Sequence, residues 1–233
     1  MSDVSPNLAP LKAVLAEHPE PAWISDVDST IIALETLDYL AQQVLAAHEL
    51  DDFKKVTDAG MSGSGLGFHE SFSLRVDVLK SKGVNRDQVL QIGQELMKHL
   101  DISLQDRDDR ILAIRHRFYV VSGGVEDLIM PSLMAIGLNS DHIHANQLTY
   151  DQRGVISGFE DRLTVLDDGK AQAVAALGLQ NFAIGVGDGN NDLLIRKAGG
   201  VQHFVAYIAH SQRERVIADA DSVATSFDAP LLD

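Results

Sequence analysis

Cysteine is missing altogether from the 233-residue sequence. Disulfides and thiol chemistry are therefore excluded, and a zinc site would have to rely on His and carboxylates. The absence is compatible with a reducing compartment without establishing one. No apolar run approaches the length needed to cross a bilayer. Met1–Pro21 lacks the charged-then-apolar order of a secretion leader, so the expectation is a cytoplasmic chain with no membrane partner. Positive charge is scarce as well: 19 Lys and Arg face 34 Asp and Glu, a net charge of -15. Such a surface repels polyanions, which argues against a nucleic-acid partner. Internal repeats and low-complexity tracts are also lacking.

What is there is ordinary for a globular protein, with 45% hydrophobic and 23% charged residues. The length suits one large domain, or a core with a smaller insertion. The most informative stretch is Trp23–Ile32, W-I-S-D-V-D-S-T-I-I. An apolar run leads into two aspartates two residues apart, which an extended chain presents on one side. Asp26 and Asp28 would then sit together at a strand end, where two carboxylates repel unless a cation holds them or one keeps its proton. That suits a metal seat, or a nucleophile beside a general acid. The alternative is structural, since Asp, Ser and Thr are the usual caps of a strand-to-helix turn.

A short amphipathic helix is predicted over Leu8–Glu17, then a first strand over Ala22–Val27. From Leu34 to about Leu100 apolar residues recur at helical spacing, as in Leu37, Leu40, Ala41, Val44 and Leu45. Three or four helices without a strand are the expectation there. Within them Gly60–Gly67 is too glycine-rich for a helix interior, and it reads either as a flexible connector or as a mobile lid. After Leu104 strands and helices alternate. A helix is expected at Asp106–Arg115, a strand at Arg117–Val121, the turn Ser122-Gly123-Gly124, and a helix through Gly137 kinked at Pro131. A short strand near Ile143 follows, then a hairpin of Gln147–Tyr150 and Val155–Phe159. A helix from near Asp168, strand Phe182–Val186, and weaker strands at Phe204–Tyr207 and Ser222–Thr225 complete the reading. His142 and His144 have strand spacing that could suit a metal, but a surface loop is the favoured reading. Alternation of this kind indicates a mostly parallel sheet covered on both faces, with ligands at the carboxyl ends of its strands. Asp26, Asp28, Ser122, Asp188 and Asp192 all fall there.

Singly, each later motif has an ordinary structural explanation. Ser122-Gly123-Gly124 can cap a helix, Lys170 can be a solvated helix lysine, and Gly187–Asp192 can be a tight turn. Their order and shared position are what make them a constellation. D-V-D-S-T, Ser122, Lys170 and G-D-G-N-N-D together resemble the four motifs of the haloacid dehalogenase superfamily of aspartate-nucleophile phosphatases, over about residues 22 to 200. Within it the chain is most similar to the phosphoserine phosphatase family, through Glu35 in E-T-L-D, Arg75 in F-H-E-S-F-S-L-R-V, and the hairpin I-H-A-N-Q-L-T-Y…G-V-I-S-G-F.

The resemblance implies a Rossmann-like α/β core, residues 1–36 and 102–233, with a small helical cap inserted over 37–101. It implies Asp26 as nucleophile and Asp28 as general acid and base. Mg²⁺ would be held by Asp26, the Asp28 backbone carbonyl and Asp188. Ser122, Gly123, Lys170 and Asn191 would surround the phosphate, supported by Asp192. Glu35 would take a substrate ammonium and Arg75 its carboxylate, with Met61 and Phe72 either walls of the cap or plain cap core. The implied partner is a small phosphomonoester, phosphoserine, bound by a monomer or homodimer. Against so acidic a chain, such a dianion needs a metal and placed cations nearby. Alternatives are another small phosphomonoester, phosphotransfer to a second alcohol, a signalling receiver domain and, remotely, the phosphorylation domain of a cation-pumping ATPase. The chain departs from the family pattern at Asp101–Asp109, acidic and loop-like where relatives carry a glycine-containing turn. It departs again at Gln202-His203 and Ala209-His210, where relatives more often have a plain strand and a lysine-bearing segment. His203 and His210 receive no role.

Overall fold

The computed structural model describes residues 4–62, 65–105, 108–228 and 230–231, with the side chains of 61, 62 and 108 outside that description. A short helix α1 (Ala9–Glu17), opened by Pro10 in its first turn, leads to β1 (Ala22–Ser25). Four helices follow: α2 (Thr36–Val44), α3 (Ala47–Ser62), α4 (Phe68–Ser81) and α5 (Arg86–Leu96). The chain then alternates through α6 (Asp108–Ile114), β2 (Phe118–Val125), α7 (Glu126–Ala135), β3 (Ile143–Asn146), and the hairpin β4 (Leu148–Tyr150) and β5 (Ile156–Phe159). It ends with α8 (Gly169–Ala176), β6 (Ala183–Gly187), α9 (Asn190–Lys197), β7 (His203–Tyr207), α10 (Glu214–Asp219) and β8 (Ser222–Ala224).

Among the described residues the main sheet has six strands in the order β3-β2-β1-β6-β7-β8, and every pairing in it is parallel. Because a parallel sheet is covered on both faces, its strands are buried along almost their whole length. In β1 Trp23 packs into the large cluster on one face while Ile24 packs with Val121, Val174 and Ile195 on the other. The two weakly patterned C-terminal strands form as expected, completing the sheet edge. Two expectations change. Ser122-Gly123-Gly124 lies within β2 and not beyond it, although the ladder to β3 shifts register between Val121 and Val125. His144 sits half-buried in β3, and His142 stacks on Tyr119 with ring centroids 4.3 Å apart, so this pair does not lie in a surface loop.

The inserted helices enter and leave through two adjacent linkers. Ala33 N donates to His99 O at 2.8 Å and Asp101 N to Ile31 O at 2.9 Å, so the linkers pair antiparallel. The hairpin joins the inserted helices from the other side: β5 lies against α4, and Ile156 N donates to Val84 O at 2.9 Å. No helix of the described residues is long and apolar enough to cross a membrane.

The insertion is also anchored by α5, which Asn85 and Gln88 start with a reciprocal capping box. α5 packs on α7 at Gly93, where a Cβ would stand 2.7 Å from Asp127 O and 3.1 Å from Leu128 O. Helix propensity favours alanine over glycine by about 1 kcal/mol, but overpacking against backbone costs about 1–3 kcal/mol. Gly93→Ala is therefore expected to destabilise the chain, lowering its urea midpoint. A raised midpoint would show that the crossing yields.

Candidate active site

The strand order brings the carboxyl ends of β1, β2 and β6 to one edge of the sheet, and one cleft opens there. It is lined by Asp26, Asp28, Glu35, Arg75, Lys170, Asp188, Asp192 and Arg213, with Phe68, Gly123, Gly124, Asn190 and Asn191 among the remaining walls. Asp26 is fixed by its own backbone, whose N–H donates to Val186 O of β6 at 2.9 Å. The chain then turns sharply, with Thr30 and Ile32 N–H both returning to Val27 O. Ser29 adopts φ +54°, which a non-glycine residue does at a cost of about 1 kcal/mol. Its hydroxyl donates to Glu35 Oε1 at 3.0 Å, and Thr36 N donates to Asp28 Oδ1 at 3.3 Å. The turn thus delivers three carboxylates to one place.

Lys170, in the first turn of α8, reaches Asp26 Oδ1 and Asp192 Oδ1 at 2.7 Å each. The other Asp192 oxygen accepts from Gly189 N at 2.9 Å. Gly187 is required here, because a Cβ would meet the Asp192 carboxylate at 2.5 Å. Asp26, Asp188 and Asp192 can each offer an oxygen within 4.8 Å of the others, and all three are buried. Asp26 Oδ1 and Asp188 Oδ2 are buried without a hydrogen bond, though a cationic side chain stands at ion-pair distance from each. A hard oxygen donor set of this kind fits a metal ion, and Asp26 and Asp188 have more free capacity for it than the doubly engaged Asp192.

Ser122 is fully buried beneath the cleft floor, and its hydroxyl accepts from Gly124 N at 2.9 Å. Gly123 and Gly124 form the floor itself; a Cβ on Gly123 would stand 2.6 Å from the Phe68 ring. Phe68 is therefore the aromatic wall. Phe72, one helical turn on, is fully buried behind it with ring centroids 6.0 Å apart and does not line the cleft. The Met61 side chain lies outside the described residues. Arg75 is buried and does reach the cleft, held by Ser71 O at 3.3 Å and Thr57 Oγ1 at 3.4 Å. Thr57 in turn donates to Asp38 at 2.7 Å.

Arg213, which the sequence reading passed over, comes from the segment after β7. Its Nη2 lies 3.2 Å from Asp188 Oδ2 and 3.8 Å from Glu35 Oε1. No local motif marked it; the only signal was its place just beyond the departure at Ala209-His210. His203 is buried away from the cleft, Nε2 at 3.0 Å from Ser222 Oγ.

Five carboxylates against three cations leave the lining with an excess of negative charge. Burial and the neighbouring Asp192 push Asp26 up to about 8, against the pull of Lys170. Burial and Asp26 push Asp28 up to about 7. Burial and Asp28 push Glu35 up to about 8, with Arg213 opposing. Burial raises Asp188 to about 6, again against Arg213. Burial alone would lower Lys170, but Asp192 and Asp26 outweigh it and keep the ammonium charged. Perturbation on this scale, gathered in one cleft, is characteristic of chemistry rather than packing.

The comparisons agree with the geometry. The family model of haloacid dehalogenase-like hydrolases matches residues 24–195. The chloroplastic phosphoserine phosphatase of Arabidopsis thaliana is 29% identical over 228 residues, covering 96% of this chain and 75% of that protein. The phosphoserine phosphatase of Albidiferax ferrireducens is 30% identical over 184 residues, covering 75% of this chain and 74% of its own. Among solved structures, a phosphoserine phosphohydrolase-like protein from Francisella tularensis superposes with a TM-score of 0.77 at 22% identity, over 88% of this chain and 95% of the other. With the motif aspartates, the lysine and the inserted helices all in the matched span and in one cleft, the chain belongs to the haloacid dehalogenase-like hydrolases.

Proposed function

We propose that the chain is a Mg²⁺-dependent phosphatase that hydrolyses phosphoserine to serine and phosphate through an aspartyl-phosphate. The observation that carries this reading is one cleft holding two chemistries: Asp26, Lys170, Asp188 and Asp192 on the sheet side, and Glu35 and Arg75 on the helical side. The first suits a phosphoryl group and the second the ammonium and carboxylate of an amino acid. The names of the relatives support the same substrate.

Asp26 is the nucleophile, its carboxylate attacking phosphorus as the ester oxygen leaves. Asp28, raised to about 7, carries the proton that this oxygen needs. Left as a carboxylate, Asp28 then accepts a proton from the water that hydrolyses the aspartyl-phosphate. Lys170 and the backbone around Gly123 hold the transferring oxygens, with Ser122 and Asn191 beside them, and Asp192 fixes the Lys170 ammonium. A divalent cation held by Asp26, the Asp28 backbone carbonyl and Asp188 would supply charge compensation for the phosphoryl oxygens. Arg213 keeps Glu35 closer to its ionised form, which an ammonium partner requires. The helices 37–101 act as a cap, with Phe68 over Gly123 as its inner wall.

Phosphate release from a panel of phosphomonoesters, with and without Mg²⁺, tests the reading. Turnover is expected to need the ion and to fall about a thousandfold or more in Asp26→Asn, as removal of a nucleophile does. Turnover that persists in Asp26→Asn would overturn the covalent route. Arg75→Ala is expected to raise KM for phosphoserine roughly ten- to a hundredfold, the loss of a charged hydrogen-bonded pair. An unchanged KM would move the substrate to another ester.

Stability should respond to pH and metal together. Raised carboxyl groups keep protons in the folded chain that the unfolded chain has already released between about pH 4 and 8. In EDTA the melting temperature is therefore expected to decline as pH rises through that window. Mg²⁺ needs the ionised carboxylates, so the rise it gives should be larger at pH 8 than at pH 5.5. Equal shifts at both values would contradict the assigned cluster.

A further inference from the structure

Asp101, which opens one of the places where the sequence departs from its family, contacts His210, which ends another. Asp101 directly follows the linker by which the chain leaves the inserted helices, and it is 2% exposed. Its carboxylate accepts from Tyr207 OH at 2.5 Å, His210 Nε2 at 2.7 Å, Ser103 N at 2.8 Å and the Ser103 hydroxyl. Its backbone N–H meanwhile binds Ile31 O of the entry linker. One buried carboxylate thus ties both linkers to the end of β7 and the segment after it. That segment bends at Ala209 and His210 and runs without regular structure to Arg213. His210 turns to Asp101, while Ser211 and Arg213 turn to Asp188, Arg213 reaching Glu35 as well.

We infer that Asp101, His210 and Tyr207 form a clamp of positioning residues that sets Arg213 in the cleft from the hinge of the inserted helices. None of the three lines the cleft, so they act through the segment they hold. A clamp that only anchored the C-terminal part of the fold would affect turnover independently of Arg213; a positioning clamp acts through it. The kinetic part of this inference rests on the proposed phosphoserine reading, and the exchange part does not.

The test uses the full chain with His210→Ala and His210→Gln, each in the Arg213 and Arg213→Gln backgrounds. Amide exchange of residues 208–213 is expected to speed up roughly tenfold in His210→Ala as local opening becomes easier, and to recover in His210→Gln, whose amide can donate to Asp101. KM for phosphoserine is expected to rise roughly five- to tenfold in His210→Ala with a smaller change in kcat, and less than twofold once Arg213 is Gln, the coupling expected of linked residues. Unchanged exchange of 208–213, or equal KM effects in both backgrounds, would overturn the clamp. Should the wild-type chain leave phosphoserine untouched, the substrate reading fails by itself, and the exchange of 208–213 still decides the clamp.

Discussion

The structure depends on the Lys170 ammonium held between Asp26 and Asp192. All three groups are buried, and an ion left unpaired at such depth is strongly destabilising, by several kcal/mol. The contact joins the end of β1, the start of α8 and the turn after β6, which are far apart in sequence. Each segment has little freedom around it. Gly169, next to Lys170, lies so close to the Leu163 carbonyl that a Cβ would stand 1.8 Å from its oxygen, and a Cβ on Gly187 would stand 2.5 Å from the Asp192 carboxylate. Glycine at these positions lets the backbone approach closely enough for a lysine and two aspartates to meet. The same pin holds Asp26 Oδ1 against Lys170, so what secures the sheet edge also orients the carboxylate of the proposed nucleophile.

Topology explains why these groups converge. In a parallel sheet every strand ends on the same edge, and the central pair β1 and β6 brings Asp26 and Asp188 side by side without any special turn. The inserted helices stand over this edge beyond the turn after β1, with Glu35 at the end of that turn and Arg75 on α4. Because entry and exit linkers pair with one another, the whole insertion is attached at a narrow joint, with α5 on α7 and the hairpin on α4 as its outer supports.

Much of this was legible in the sequence because it is local. Apolar runs ending in Asp26 and Asp188 mark strands by themselves, and the spacing of Asp26 and Asp28 places both at one strand end. Three or four inserted helices were expected from apolar spacing such as Leu37, Leu40, Ala41, Val44 and Leu45. Phe68 and Phe72 show the limit. They are four residues apart on one helical face, so periodicity cannot say which reaches the cleft; only the depth of α4 against the hairpin decides that Phe72 is covered by Phe159 and Phe68 is not. Arg213 and the Asp101–His210 pair were illegible for a different reason. Their partners lie about a hundred residues away or across the cleft, and no periodic pattern encodes such contacts. Asp101 and His210 registered only as departures from the family pattern, and Arg213 did not register at all.

The acidity of the chain acquires a physical meaning once the cleft is known. A phosphoserine dianion approaching a surface of net charge -15 is repelled at long range. Inside, the five carboxylates and three cations of the lining come close to balance once a divalent cation is added. On the proposed reading the phosphoryl group would meet Lys170, which pairs with Asp26, and the ammonium would meet Glu35, which stands 3.8 Å from Arg213. Asp26 would then be free to attack, while Arg213 would keep its pair with Asp188. Discrimination follows from the same contacts. On that reading a phosphomonoester with neither ammonium nor carboxylate would leave Glu35 paired to Arg213 and give Arg75 no partner. The arrangement therefore favours a zwitterionic ester over a simple one, even though both offer Asp26 the same phosphorus.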